Sequence, residues 1–172
     1  DVKAQSKEQG EAILRVLASL PAQAVVLVLC GIANHDNIGG IYRNAAAFGA
    51  DAVILDSDCC DPLYRKAIRV SVGAVLSVPT ARLVRDEPIA DLLSATGFEG
   101  LALSPAADEV LATLKPALRT AVLLGAEGPG GRQADRAAQS ADGLGHDRQA
   151  HAASRQLVDV GGRGDTSLEG QG

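Results

Sequence analysis

The sequence lacks several things that would settle its class at once. It has no methionine and no tryptophan, only two tyrosines and two phenylalanines, and only three cysteines. Asp1 stands where an initiator methionine would be, so the sequence is expected to be a fragment or a processed chain. Cys59 and Cys60 are adjacent and Cys30 is alone, which excludes an even disulfide framework and a CxxC metal spacing and leaves buried free thiols as the expectation. No apolar run approaches the roughly 20 residues of a membrane span, and the first residues are polar, so neither a span nor a signal peptide is read. A soluble, cytoplasmic protein is expected. Strong charge of one sign is also missing: 16 Lys and Arg stand against 21 Asp and Glu, for a formal net charge of -5. That excludes a supercharged tail, but anion binding depends on local charge and survives an acidic average.

What is present is unevenly distributed. Val, Ile, Leu and Phe supply 40 of the first 130 residues and 5 of the last 42, while Gly goes from 11 to 8 over the same two stretches. Residues 131–172 therefore carry too little apolar surface to order themselves against the entropy of the chain, and a loosely packed or disordered tail is expected there. Residues 1–23 read as a linker and helix, with Ile13, Leu14, Leu17 and Leu20 on one stripe.

Between these ends, apolar runs alternate with amphipathic stretches. Ala24–Ile32 is an unbroken apolar run, the pattern of a central strand buried on both faces. Shorter runs at Ala52–Leu55, Ala74–Pro79, Leu101–Ser104 and Ala121–Ala126 read as further strands, and Ile38–Phe48, Pro62–Val70 and Pro88–Thr96 as helices. Alternation of this kind predicts an α/β fold, a mostly parallel sheet with helices on both faces. Ligands in such sheets gather at the carboxyl ends of the strands.

Three strand-to-loop junctions are candidate sites. After the first strand comes GIANHDNIGGIYRNAAAFGA, in which Asn37 is placed to cap the next helix and Gly39 and Gly40 leave its first turn bare. Arg43, three and four residues on, falls on the side those glycines expose. A permanently charged guanidinium near helix N-terminal amides suits a phosphate, although a capped helix with a solvated Arg43 fits the same residues. The second junction, VLLGAEGPGG, runs a strand into a Gly-rich turn with one carboxylate, Glu127, able to accept hydrogen bonds from a ribose, a loop amide or an arginine, or to stand in an ordinary turn. The third, LALSPAAD, puts Ser104 and Pro105 just past a strand end. Neither the GxxxxGK[ST] nor the GxGxxG fingerprint is present, the three histidines have no metal spacing, and no GxSxG elbow occurs.

Taken in order, NIGGIYRNAAAFGADAVILD, DPLYRKAIRVSVGAVLSVP and VLLGAEGPG resemble the motifs of the SpoU or TrmH-type RNA ribose methyltransferases of the α/β-knot superfamily, over residues 24–130. The resemblance implies a Rossmann-like knotted methyltransferase domain acting as a homodimer. Its activity would be S-adenosylmethionine-dependent methyl transfer to a ribose 2'-hydroxyl of tRNA or rRNA, with no metal and no membrane. Arg43 matches the family's catalytic arginine, Asn37 the leading asparagine and Glu127 the acid of the second motif. Leu103, Ser104, Pro105, Gly125, Ala126 and Gly128 match the strand ends that hold the cofactor's adenosine. Arg65, Lys66 and Arg69 are the expected contacts to the RNA backbone, with a solvated basic face as the plain alternative.

The family's third motif, a strand with an SLN-type loop and a closing helix, should follow Gly130 and is not recognisable there. Residues 131–172 read either as an out-of-frame translation of that motif or as a divergent tail. Only about 23 residues precede the first strand, so an upstream RNA-recognition region is expected to be missing. The competing reading is a non-catalytic RNA-binding or dimerisation module of the same fold.

Overall fold

The computed structural model describes residues 2–84, 89–103, 109–110, 115, 117–125 and 148–151. The apolar stripe of the first segment forms α1 (Val2–Ser19), where Ile13 and Leu17 are almost wholly buried and Leu14 and Leu20 pack beside them. The first apolar run becomes β1 (Ala24–Cys30), followed by α2 (His35–Phe48). Gly49 closes α2 in the left-handed region (φ 73°), its N–H donating to the carbonyls of Ala45 and Ala46, a conformation that costs glycine nothing. Then come β2 (Ala52–Leu55), α3 (Arg65–Val70), one 3-10 turn (Ala74–Leu76), β3 (Thr80–Arg82) and α4 (Ile89–Ala95). The remaining strands are β4 (Glu99–Leu103), β5 (Glu109–Val110), β6 (Arg119–Gly125) and β7 (Arg148–His151).

Among the described residues these strands make one sheet in the order β3-β2-β1-β6-β4-β7-β5, every neighbouring pair parallel. The predicted fold class is the observed one. Val26, Val28, Ala121 and Leu123 face α1 and α4 on one side, closing over Leu17, Leu93 and Phe98. Leu29, Val53 and Leu55 face the other side, under Ile38 and Tyr42 of α2, Ala67 of α3, and Val75 and Val78. Each fully buried Leu or Val removes enough apolar surface to favour folding by about 1.5–3 kcal/mol.

Local chemistry moves three expected boundaries and replaces one expected strand. Helix α2 begins at His35, not Ile38, because Asn34 is the cap: its side-chain oxygen accepts from the Asp36 N–H at 2.8 Å, and its carbonyl from the Ile38 N–H at 3.0 Å. Asn37 is inside the first turn and caps nothing. Strand β1 ends at Cys30, where Gly31 turns the chain at φ 66°. Helix α3 begins at Arg65, since the Asp61 carboxylate accepts from the Leu63 N–H at 2.9 Å and holds residues 61–64 in a turn. Ala74–Pro79 is not a strand. Val72 and Gly73 both take positive φ and reverse the chain, Ala74–Leu76 coils, and the strand comes later at Thr80–Arg82. Four residues of the apolar-poor tail, Arg148–His151, pair with both β4 and β5.

Candidate functional site

The carboxyl ends of β1, β6 and β4 lie side by side. Cys30 pairs with Gly125, and Ala102 of β4 pairs with Leu123 of β6, so Leu103 and Gly125 end neighbouring strands at one edge of the sheet. Of the residues matched to the cofactor's adenosine, these two are brought together. Ser104, Pro105, Ala126 and Gly128, and the acid Glu127, lie outside the described residues.

The loop from β1 into α2 is fixed by a carboxylate that sequence patterning did not single out. Asp56, just past β2, accepts from the Gly31 N–H at 2.9 Å with one oxygen, and from the Asp58 and Cys59 N–H groups at 3.0 and 2.9 Å with the other. Arg82, at the end of β3, holds the segment that follows β2. Its guanidinium donates to the carbonyls of Asp56, Cys59 and Cys60 at 3.0–3.1 Å. Periodicity is blind to such a hub, because its members are single polar residues just beyond strand ends. The one available cue was that Asp56 directly follows the apolar run Ala52–Leu55.

The cysteines belong to this framework and not to the chemistry. The Cys59 thiol donates to the Leu29 carbonyl at 3.2 Å and accepts from the Ile32 N–H at 3.3 Å. Burial, then the nearby Asp56 charge, pushes both Cys30 and Cys59 up to about 12. A thiol held protonated this firmly is a poor nucleophile at neutral pH.

Around α2, Ile38, Gly39, Tyr42 and Ala45 face the core, which turns Asn37 and Arg43 outward, both exposed. The two glycines do different work. A Cβ at Gly39 would stand 2.9 Å from the Ala67 carbonyl oxygen and from Val70 Cβ, so its bareness is used by α3 and is not open to a ligand. Gly40 has open space, and it lies between Asn37 and Arg43 on the outer face. Because α2 starts early, Arg43 is about 12 Å along the axis from His35. The expected pairing of Arg43 with the first-turn amides is therefore not formed. Asp36 occupies that turn instead, paired with Lys66 of α3 at 2.6 Å. Of the three expected RNA contacts, Lys66 is thus engaged, while Arg65 and Arg69 are exposed with no partner among the described residues.

Open parallel α/β sheets that bind ligands do so beyond the carboxyl ends of their strands, the edge at which β1, β6 and β4 end here. Residues 24–141 match the SpoU rRNA Methylase family, and the chain belongs to that family. An uncharacterized tRNA/rRNA methyltransferase of Mycobacterium tuberculosis is 44% identical over 110 residues, covering 61% of this chain and 38% of that protein. The 23S rRNA (guanosine-2'-O-)-methyltransferase RlmB of Escherichia coli is 32% identical over 135 residues, covering 78% of this chain and 55% of that one. The chain therefore spans roughly two fifths to a little over half of these curated relatives. Among solved structures, the SpoU methyltransferase AviRb from Streptomyces viridochromogenes, in complex with AdoMet, superposes with a TM-score of 0.65 at 21% identity. That match covers 78% of this chain and 50% of AviRb, and it shows the shared fold. No helix among the described residues is long and apolar enough to cross a membrane.

Proposed function

We propose that this chain is the methyl-transfer part of an S-adenosylmethionine-dependent enzyme that methylates a ribose 2'-hydroxyl of tRNA or rRNA in the cytoplasm. The observation that carries the reading is the meeting of Leu103 and Gly125 at adjacent strand ends, at the edge where parallel sheets take ligands. These residues suit an adenosine: strand-end backbone supplies fixed donors and acceptors, and Gly125 adds no side chain to obstruct it. Ser104, Pro105, Ala126 and Gly128 are assigned to the same group from the family match.

When bound, the cofactor supplies a methyl group activated on sulfonium. Transfer requires the ribose oxygen to be aligned with that methyl group and relieved of its proton. A guanidinium does not give up its proton at working pH, so Arg43 is assigned to clamp the phosphate beside the target ribose and to stabilise the developing alkoxide. Asn37 is assigned to orient this face of α2, and Glu127 to position an arginine or loop amides near the ribose. Arg65 and Arg69 are assigned to the RNA backbone, while the third expected contact, Lys66, is held by Asp36. A homodimer is assigned to the chain, in which α2 of one copy, with Arg43, would meet the cofactor edge of the other.

Calorimetric titration with S-adenosylmethionine, then methylation of total RNA with a labelled methyl donor and nucleoside mapping, tests the proposal. Saturable binding and labelled 2'-O-methylnucleosides are expected, and a folded chain that shows neither defeats it. Arg43→Ala is expected to lower turnover by about 100-fold or more while stability stays within about 0.5 kcal/mol. Retained activity would remove Arg43 from the mechanism. The absence of a recognisable third motif in residues 131–172 favours a second reading, a non-catalytic RNA-binding or dimerisation module. RNA binding without cofactor binding would select it.

A further inference from the structure

Two of the chain's four aromatic residues are in the core, Tyr42 and Phe98, and Tyr64 is not: it is 56% exposed, next to Leu63 at 57%. An aromatic ring left in water forgoes the burial that usually stabilises it. Tyr64 is nevertheless held in place. The His35 ring lies against it with centroids 4.5 Å apart and planes tilted by 41°, and the Lys66–Asp36 ion pair ties the same two segments together. Tyr64 is the N-cap residue of α3, its carbonyl accepting from the Ile68 N–H at 3.1 Å, while its ring makes no capping bond.

Charge marks what such a ring could meet. Residues 61–70 carry Arg65, Lys66 and Arg69 against the single carboxylate Asp61. Lys66 is spent on Asp36, and one Asp61 oxygen on the Leu63 N–H. Arg65 and Arg69, four residues apart and so on one side of α3, keep their charge for a partner. An exposed π-face held against His35, beside two guanidinium groups with no partner among the described residues, is complementary to a polyanion that also carries flat apolar rings. Unpaired nucleotides meet both conditions, since their bases stack on aromatic side chains while cations follow the phosphates. A cavity of about 340 Å³ adjoins the platform through Leu63, its wall otherwise apolar except for Asp61, Thr80 and Arg82. The Arg82 guanidinium at its wall is already committed to three carbonyls, so the cavity offers shape without base-reading donors from that residue.

We propose that Tyr64, backed by His35, is a stacking platform for an unpaired base of the RNA, with Arg65 and Arg69 holding the adjoining phosphates. This deepens the reading of the chain as an RNA-directed protein and rests on it. Tyr64 acts on substrate binding and takes no part in the transfer.

The test is titration of the full chain with a single-stranded RNA oligonucleotide containing 2-aminopurine, whose fluorescence is quenched when it stacks. Binding by the unaltered chain is expected to quench the probe. Tyr64→Ala is expected to weaken binding about 5- to 150-fold and abolish the quenching, and Tyr64→Phe to restore both. Arg65→Gln and Arg69→Gln should each lower the slope of log affinity on log salt by about 0.7, and Tyr64→Ala should leave that slope unchanged. Equal affinity and quenching for Tyr64→Ala and the unaltered chain would overturn the platform while leaving RNA binding intact. If Tyr64→Ala instead changed self-association in sedimentation without changing RNA affinity, the ring would be a protein contact and the proposal would fall. No RNA binding by the unaltered chain would remove both the platform and the reading beneath it.

Discussion

The two faces of the sheet are built from different materials. Under α1 and α4 the contacts are almost all apolar, and the main polar tie is Arg119, which donates to the carbonyls of Leu17, Leu20 and Pro21 and lies over the Phe98 ring at 4.4 Å. Under α2 and α3 an apolar layer is overlaid by polar ties: Asp56 and Arg82, the Tyr42 hydroxyl hydrogen-bonded with the Thr80 hydroxyl at 2.8 Å, and Lys66 with Asp36. Every described candidate for RNA contact or phosphate clamping stands on this second face, on α2 or α3. Both faces carry apolar core, and the candidate chemistry of the helices stands on one of them.

The largest effect should come from the apolar face. Leu123→Ala removes a fully buried side chain and is expected to cost about 2–5 kcal/mol in denaturant unfolding. RNA affinity of the molecules still folded should not change. If it did, the faces would be coupled and the comparison would fail.

Alkaline pH probes the thiols, one on each face. Cys30 and Cys59 are raised from the ordinary 9.0 to about 12, because the fold buries them and disfavours the thiolate. Their protonated form is favoured by folding, so this contribution is fully present below pH 9 and is lost as pH rises from there toward 12. The unfolding midpoint should be level through neutral pH and fall above it, and Cys30→Ala should make the fall shallower. An unchanged alkaline limb in Cys30→Ala would show that this thiol does not contribute.

Adjacent glycines on α2 give a sharper test within one face. Gly39→Ala drives a methyl group into the Ala67 carbonyl and Val70 and is expected to cost about 1–3 kcal/mol. Gly40→Ala meets open space and should gain about 0.5–1 kcal/mol of helix stability, while lowering RNA methylation if substrate approaches between Asn37 and Arg43. The smallest effect belongs to Lys66→Gln. Its ion pair is about half exposed on both sides, 47% and 48%, so a loss of about 0.5 kcal/mol, fading with added salt, is expected in thermal melts.

Most of the framework was legible because it is apolar and periodic. The runs at Ala24, Ala52, Leu101 and Ala121 became β1, β2, β4 and β6, and the stripe of Ile13 and Leu17 became the buried side of α1. What escaped were decisions made by single polar groups or by backbone sign. Asn34 and Asn37 are equally good caps by type, and only the Asp36 N–H bond chooses between them. Val72 is β-branched and takes φ 55°, a conformation that residue type argues against, so the turn ahead of β3 could not be read from Ala74–Pro79 alone. Buried Val75 and Val78 are three apart, a helical spacing that an apolar run conceals. For the candidate site, motif resemblance put forward Leu103, Gly125, Asn37 and Arg43, whereas the Asp56–Arg82 hub had no motif to announce it.

The position of β1 has a consequence for synthesis. It sits between β2, which follows within one helix, and β6, whose Arg119 pairs with Ala24 and also reaches back 102 positions to Leu17. As the chain leaves the ribosome, one hydrogen-bonding edge of its most apolar strand waits unmatched until the segment around residue 119 emerges. Contact order is therefore high at the centre of the sheet, and β1 keeps one open edge until the segment around residue 119 is there to close it.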